Sequence, residues 1–169
     1  MLFRSGIRVG QVQVDMPGLI HWKDEVVRKL VGGVGTLLKG HGIEVLAGRA
    51  SFRGPKQVEV MTEKGPVTVE ADHIIIATGS VPLSIPGFTP DGHRVIDSTG
   101  ALALTELPAR MVVIGGGYIG LELGTAYAKL GTKVTVLEGT EQVLPGFDPE
   151  IAKLVERRLK KLGVEVVLG

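Results

Sequence analysis

The sequence predicts an α/β fold, and three observations support this class. Four short runs rich in Val, Ile or Thr are typical of strands, at 73–77, 111–114, 133–137 and 164–168. Two stretches with apolar residues at helical spacing separate the last three runs. Three consecutive glycines join the second run to the helical stretch behind it. Strands that alternate with helices in this way predict a parallel sheet.

The most informative stretch is 111–138, MVVIGGGYIGLELGTAYAKLGTKVTVLE. Its glycines Gly115, Gly117 and Gly120 have the GxGxxG spacing of a dinucleotide-binding turn. That spacing alone is weak evidence, because glycine-rich turns are common. Here it lies between a strand pattern and a helix pattern, and a second strand ends on Glu138, 18 positions after Gly120. This context predicts the first βαβ unit of a Rossmann domain.

Each part of this unit has an expected task. Gly115 permits the tight turn, Gly117 lets backbone N–H groups approach a pyrophosphate, and Gly120 lets the helix pack closely on the sheet. Glu138 is placed to bind both ribose hydroxyls and to repel a 2′-phosphate. Residues 139–143 contain no arginine to receive that phosphate, so we predict NAD rather than NADP. The alternative is a tight turn followed by an ordinary surface acid.

The elements around the glycine turn follow from apolar spacing and end signals. The helix after the turn is predicted to end at Gly131 and to face the sheet with Ile119, Leu123, Ala126 and Leu130. A strand at Lys133 to Leu137 follows. Asp148-Pro149-Glu150 starts a helix to Leu162, with the inner stripe Ile151, Leu154, Val155, Leu159 and Leu162. Val164 to Leu168 is the last predicted strand.

The first part of the chain, up to about residue 106, has a different pattern. Asp15 is predicted to cap a helix that runs to about Lys39. Short turns predict an antiparallel meander of three strands, Arg49–Arg53, Gln57–Met61 and Val67–Glu70. Two buried strands are also expected, at Ile43 to Leu46 and at His73 to Ala77, and Asp97-Ser98-Thr99 is expected to cap a short helix at 99–104.

Composition excludes several function classes. The formal net charge of +1 gives no indication of nucleic acid or an anionic membrane as partner. No apolar run reaches the roughly 18 residues of a membrane span, and the N-terminus does not read as a signal peptide. With no cysteine and four scattered histidines, no metal site is expected. A cytoplasmic location is the default expectation.

The order of motifs resembles the dihydrolipoamide dehydrogenase family, within the flavin-dependent pyridine nucleotide–disulfide oxidoreductases. The similarity lies in the helix WKDEVVRKLVGGVGTLLKG, the segment ADHIIIATGS and the glycine turn of 111–138. It implies two Rossmann-like FAD/NAD(P)-binding domains, both incomplete, with the meander inserted in the FAD part. Residues 1–106 would then be a partial FAD-binding domain and 107–169 the first half of the NAD-binding domain.

The resemblance also implies site residues and a reaction. In the family, dihydrolipoamide reduces an enzyme disulfide, and electrons pass through FAD to NAD+. The implied NAD contacts are Gly115, Gly116, Gly117, Tyr118, Ile119, Gly120 and Glu138. The implied FAD contacts are Ala50, Thr78, Gly79 and Ser80. Tyr118 matches an aromatic gate over the flavin, with plain packing as its alternative. Glu122 matches a supporting carboxylate near the flavin, with dipole stabilisation in the helix as its alternative.

Several family features are missing from the sequence. It lacks the first FAD glycine motif, the disulfide cysteines, the lysine partner of Glu122 and the C-terminal interface domain. We therefore expect a central fragment without full activity, which binds FAD only as part of the intact parent. With only three of the six Rossmann strands, the first strand would be an exposed edge.

The partners implied for the intact parent are dihydrolipoamide on an acyltransferase of a 2-oxo acid dehydrogenase complex, and a second copy in a homodimer. No nucleic acid and no membrane are expected. Three alternatives remain open at this point. The first is another FAD-dependent disulfide reductase or an NADH oxidase, the second a non-catalytic NAD-binding fragment, and the third a piece that binds nothing.

Overall fold

The computed structural model describes Gly10 and residues 12–169, which form two compact units. One unit comprises Asp24–Val81. The other comprises Pro82–Gly169 together with the described residues up to Lys23. The predicted α/β class is confirmed, because one sheet is antiparallel and the other parallel. The division of the sequence into 1–106 and 107–169 stays a prediction.

The long first helix, α1 (Met16–Gly40), begins where the sequence predicts. The Asp15 carboxylate accepts a hydrogen bond from the Gly18 N–H at 3.1 Å, as a capping residue does. Its apolar side chains from residue 22 onward are largely exposed, among them Trp22, Leu30 and Leu37. The helix therefore presents an apolar face that the described residues do not cover.

The predicted meander is confirmed. Strands β1 (Arg49–Gly54), β2 (Gln57–Thr62) and β3 (Gly65–Glu70) pair antiparallel in chain order. The β2–β3 connection is tight, and Gly65 adopts a φ of 114°, which glycine tolerates without steric cost. Only Val60 of this sheet is buried, so the meander is a thin layer.

Two strand predictions in the same unit are wrong. Neither Ile43–Leu46 nor His73–Ala77 forms a strand, and Ile75 is 90% exposed. A strand requires a neighbour to accept its backbone hydrogen bonds, and no described residue pairs with either segment. The predicted helix at 99–104 is shorter and earlier, as α2 (Ser98–Ala101), with Asp97 capping the Gly100 N–H at 2.8 Å.

The βαβαβ prediction for the end of the chain is confirmed. Its elements are β4 (Arg110–Ile114), α3 (Tyr118–Leu130), β5 (Lys133–Glu138), α4 (Pro149–Lys161) and β6 (Glu165–Leu168). The strands are parallel in the order β4-β5-β6, so β4 is an edge within the described residues. Gly131, at a φ of 113°, ends α3, and the Asp148 carboxylate caps α4.

The core of this unit lies between the parallel sheet and its helices. Val134, Val136 and Val143 are fully buried in it. Val134 and Val136 belong to the central strand β5, as expected for a strand covered by elements on its faces. Val143 comes from the loop after β5, so this loop is part of the core.

The inward faces of the two helices differ from the predicted stripes. Leu123 and Leu130 of α3 pack against the core, but the fully buried positions are Leu121, Gly124 and Tyr127, and Ile119 and Ala126 are exposed. The reason is the close approach of the glycines. A Cβ at Gly124 would lie 3.4 Å from Val134 and 3.5 Å from Val113, so the helix turns this side to the sheet.

In α4 the same displacement occurs. Val155, Leu159 and Leu162 pack inward as predicted, whereas Ile151 and Leu154 are exposed and Ala152 is buried. Small residues allow close packing, so the buried face is centred on the alanine rather than on the largest apolar side chains. Apolar spacing identified the helix correctly but placed its inner face a step away from the observed one.

Candidate functional site

The glycine turn after β4 is shaped by Gly115. Its φ of 101° lies in the region that side-chain-bearing residues rarely adopt, and its N–H donates to the Leu137 carbonyl at 2.8 Å. This bond extends the β4–β5 pairing by one residue beyond Ile114. The chain then turns sharply upward into α3. The turn therefore lies at the carboxyl end of the parallel strands, where ligands bind in open α/β sheets.

Helix α3 packs closely on the turn through Gly120. A Cβ at this position would lie 2.6 Å from the Gly115 carbonyl oxygen and 2.9 Å from Val113 Cγ1. Neither backbone nor strand side chain can yield by that distance without moving the helix. The fold therefore requires glycine at position 120.

Gly117 presents the opposite situation. It is the capping residue of α3, with an ordinary φ of −73°, and no atom lies within 4 Å of where its Cβ would be. No side chain caps the helix here, so the first N–H groups of α3 face outward. Nothing inside the described chain requires glycine at this position. An open surface of backbone donors at a helix N-terminus suits an anionic ligand.

Glu138 ends β5 and reaches the glycine turn. Its Oε2 accepts a hydrogen bond from the Gly116 N–H at 2.7 Å, and its Oε1 accepts one from the Thr140 N–H at 2.9 Å. The bond from Gly116 is the main cause that lowers the pKa of Glu138, and partial burial opposes the shift. The carboxylate is thus ionised at neutral pH and held in a fixed orientation beside the turn.

The loop after β5 completes the site from the other side, and sequence analysis did not identify its role. The Leu144 N–H donates to the Gly116 carbonyl at 2.8 Å. Leu144 is buried and has a φ of 53°, the left-handed region. Pro145-Gly146 marks a loop in the sequence, but no sequence signal identifies Leu144 as left-handed, because a bulky residue there is unusual.

The remaining predicted NAD contacts and the two predicted catalytic residues lie on the first turns of α3. Tyr118 is 62% exposed, and Ile119 and Glu122 are also exposed. Tyr118 and Glu122 are four positions apart and thus share one helix face. The structure therefore places both side chains on the exposed part of α3 near the glycine turn.

The predicted FAD contacts lie in the other compact unit. Ala50 is exposed in β1, opposite Val60 of β2. Thr78, Gly79 and Ser80 form an exposed segment without regular structure, and Gly79 has a φ of 78°. Among the described residues, no hydrogen bond joins Ala50 to this segment. The structure therefore does not assemble these four residues into one site.

Two classes of site are absent from the part of the chain that the structure describes. No group of three or more His, Cys, Asp or Glu side chains is arranged there to hold a metal ion. Within residues 12–169, no helix has both the length and the apolarity that a membrane crossing requires.

Residues 4–169 match the family described as pyridine nucleotide-disulphide oxidoreductase. The chain belongs to this family. The dihydrolipoyl dehydrogenase of Geobacillus stearothermophilus is 49% identical over 162 residues, which are 96% of this chain and 34% of that relative. The dihydrolipoyl dehydrogenase of Bacillus subtilis is 51% identical over 158 residues, with coverages of 94% and 33%. The predicted resemblance to this branch is confirmed.

Solved structures give the same result. The crystal structure of LpdA from Mycobacterium tuberculosis matches with a TM-score of 0.81 and 27% identity, over 94% of this chain and 36% of that one. The HOCl-induced flavoprotein disulfide reductase RclA from Escherichia coli matches with a TM-score of 0.74 and 36% identity, over 88% and 34%. The chain thus spans about a third of the length of the relatives it matches.

Proposed function

We propose that residues 107–169 bind the adenosine and pyrophosphate part of NAD, within a parent of the dihydrolipoyl dehydrogenase type. The observation that carries this proposal is the contact between Glu138 and the glycine turn. It sets an ionised carboxylate beside the outward-facing N–H groups at the start of α3. A ribose needs an acceptor and a pyrophosphate needs donors, and here the two lie side by side.

The preference for NAD over NADP rests on charge. Both oxygens of Glu138 already accept backbone N–H bonds, which fix the carboxylate in place. Ribose hydroxyls donate to such a group, whereas a 2′-phosphate is repelled by it. Residues 139–143 contribute no arginine to neutralise that phosphate. The same residues therefore favour one cofactor and disfavour the other.

The open position at Gly117 supports a ligand that approaches the backbone. Because no protein atom occupies the space of a Cβ there, the missing side chain leaves room for the pyrophosphate oxygens. Bound NAD+ supplies the hydride acceptor of the family reaction. The residues of this chain bind and orient it. We propose Tyr118 as a gate over the nicotinamide site and Glu122 as a supporting carboxylate near the flavin.

The activity of the intact parent is part of the same proposal. It would oxidise dihydrolipoamide, carried by an acyltransferase of a 2-oxo acid dehydrogenase complex, and pass electrons through a disulfide and FAD to NAD+. Ala50, Thr78, Gly79 and Ser80 are the proposed FAD contacts, and a homodimer is the proposed assembly. The sequence has no cysteine, so the thiols would come from outside residues 1–169.

The relatives favour this activity over a different disulfide reductase or an NADH oxidase. Identity reaches 49–51% with two dihydrolipoyl dehydrogenases and 34–37% with the RclA structures. A non-catalytic NAD-binding module is the remaining alternative, and it would share the same nucleotide site. Identity therefore bears on the parent enzyme, whereas the contact between Glu138 and Gly116 bears on nucleotide binding.

Calorimetric titration of the chain with NAD+ and with NADP+ tests the nucleotide site. We expect saturable NAD+ binding, weaker NADP+ binding, and a loss of about tenfold or more in NAD+ affinity in Glu138→Ala. Glu141→Ala is the matched control, because Glu141 is an exposed acid in the same loop. Equal affinity of the two variants, or no binding by the folded wild-type chain, would reject the proposal.

A further inference from the structure

Leu144 has an unusual backbone conformation for its residue type. It is the sole non-glycine residue with positive φ in the described part of the chain. A branched side chain disfavours that conformation, and the surrounding structure must hold it in place. The anchor is the side chain itself, which is 9% exposed and belongs to the same core cluster as Val143. A buried anchor thus maintains an unfavourable backbone conformation next to the glycine turn.

The product of this conformation is one hydrogen bond. The Leu144 N–H donates to the Gly116 carbonyl at 2.8 Å, while the Gly116 N–H is bonded to Glu138 at 2.7 Å. Both peptide groups of Gly116 are therefore fixed, one by each partner. A glycine without such partners would sample several orientations, because it has no side chain to restrict it.

Fixing the Gly116 carbonyl also fixes the next N–H. The peptide bond between Gly116 and Gly117 is trans, so its C=O and N–H point in opposite directions. With the carbonyl turned toward Leu144, the Gly117 N–H is directed away from the loop. No acceptor among the described residues takes this N–H. It is therefore presented, in one orientation, at the open position beside Gly117.

We propose that Leu144 is a positioning residue for the pyrophosphate of the bound dinucleotide. Its strained backbone holds the Gly116–Gly117 peptide with the N–H facing the ligand, so that binding does not have to order this group. Preorganised donors bind anions better than donors that must first be oriented. This inference rests on the proposed NAD site and adds to it a residue that never touches the ligand.

Two substitutions separate positioning from packing. Leu144→Ala removes the anchor but keeps a Cβ, so the backbone is expected to relax to negative φ and the bond to Gly116 to break. Leu144→Gly removes even more of the side chain but adopts positive φ freely. If only packing matters, the glycine variant is at least as damaging as the alanine variant. If positioning matters, the order reverses.

We expect calorimetric titration with NAD+ to give this reversed order. Leu144→Ala should lose about tenfold in affinity, as for one lost hydrogen bond, and Leu144→Gly should stay within about twofold of the wild-type chain. Circular dichroism checks that each variant is folded. If Leu144→Ala does not fold, the pair Leu144→Val and Leu144→Met replaces it. The β-branched valine resists positive φ, whereas methionine keeps the anchor, so valine should bind more weakly.

The outcomes are distinct. Wild-type binding with equal affinity of the alanine and glycine variants, or with the glycine variant weaker, overturns the positioning role and leaves the NAD site intact. The same holds for equal affinity of the valine and methionine variants. No NAD+ binding by the folded wild-type chain overturns the NAD site itself, and the positioning role with it.

Discussion

The Glu138 carboxylate accepts a hydrogen bond from the Gly116 N–H at 2.7 Å, although 22 positions separate the two residues in sequence. The parallel pairing of β4 and β5 brings them together, because Ile114 lies opposite Leu137 at the ends of these strands. The strand ends thus set the geometry of the site, and α3 begins directly beyond it. The contact links the sheet topology to nucleotide binding.

The two glycines Gly117 and Gly120 should respond differently to alanine. Gly120→Ala places a Cβ 2.6 Å from the Gly115 carbonyl, so we expect a loss of about 1–3 kcal/mol in the free energy of unfolding. Gly117→Ala enters open space and should change stability by less than about 1 kcal/mol, but should weaken NAD+ binding. Urea titration measures the first effect and calorimetry the second. A Gly120→Ala chain as stable as the wild type would contradict the close packing described here.

The stability of the fold should depend on pH through Glu138. Because its pKa is lowered in the folded chain, the unfolded chain binds more protons at acidic pH. The stabilising contribution of Glu138 is complete above its ordinary value of 4.5 and is lost as pH falls through the lowered folded value. Glu138→Gln removes the titrating group. Its stability deficit relative to the wild type should therefore shrink between about pH 6 and about pH 3.

Urea unfolding at a series of pH values measures this difference, with Glu141→Gln as the control. That control removes a carboxylate from the same loop. Its deficit should stay small and nearly constant with pH. A Glu138→Gln deficit that does not change over this range would show that the backbone bonds to Glu138 contribute nothing to stability.

Tyr127 should stabilise the fold through its hydroxyl group. The buried hydroxyl donates to the Ala101 carbonyl, and so links α3 to α2. Burial also raises the pKa of Tyr127, so the hydroxyl remains a donor. Tyr127→Phe leaves that carbonyl without its donor and should cost about 1–2 kcal/mol in thermal or urea unfolding. Tyr118→Phe is the control, and its exposed side chain should give a change below about 0.5 kcal/mol. Equal effects of the two substitutions would refute the role of this bond.

The sequence predicted local elements better than their neighbours. Helix caps at Asp15 and Asp148 and the turn at Gly131 depend on a few adjacent residues, and all three are observed. The segments Ile43–Leu46 and His73–Ala77 have strand composition, but a strand forms only where a second strand pairs with it. That requirement is not visible in a single apolar run.

The candidate site shows the same division. The glycine spacing and Glu138 could be recognised because the βαβ pattern fixes their positions relative to the strand ends. The bond from Leu144 to Gly116 could not be recognised, because it depends on a backbone conformation that leucine disfavours and that only the folded core maintains. The inner face of α3 was misjudged for a related reason, since close contact through Gly124 outweighs the pattern of large side chains.

The most direct test of the proposed site is the location of NAD+ on the chain. Two-dimensional NMR of the ¹⁵N-labelled protein, titrated with NAD+, reports each backbone amide separately. We expect saturable shifts at Gly116, Gly117 and Tyr118 and at the amides of 138–140, with the meander of 49–70 unchanged. Shifts confined to other parts of the chain, or no shifts at the glycine turn at saturating NAD+, would contradict the account.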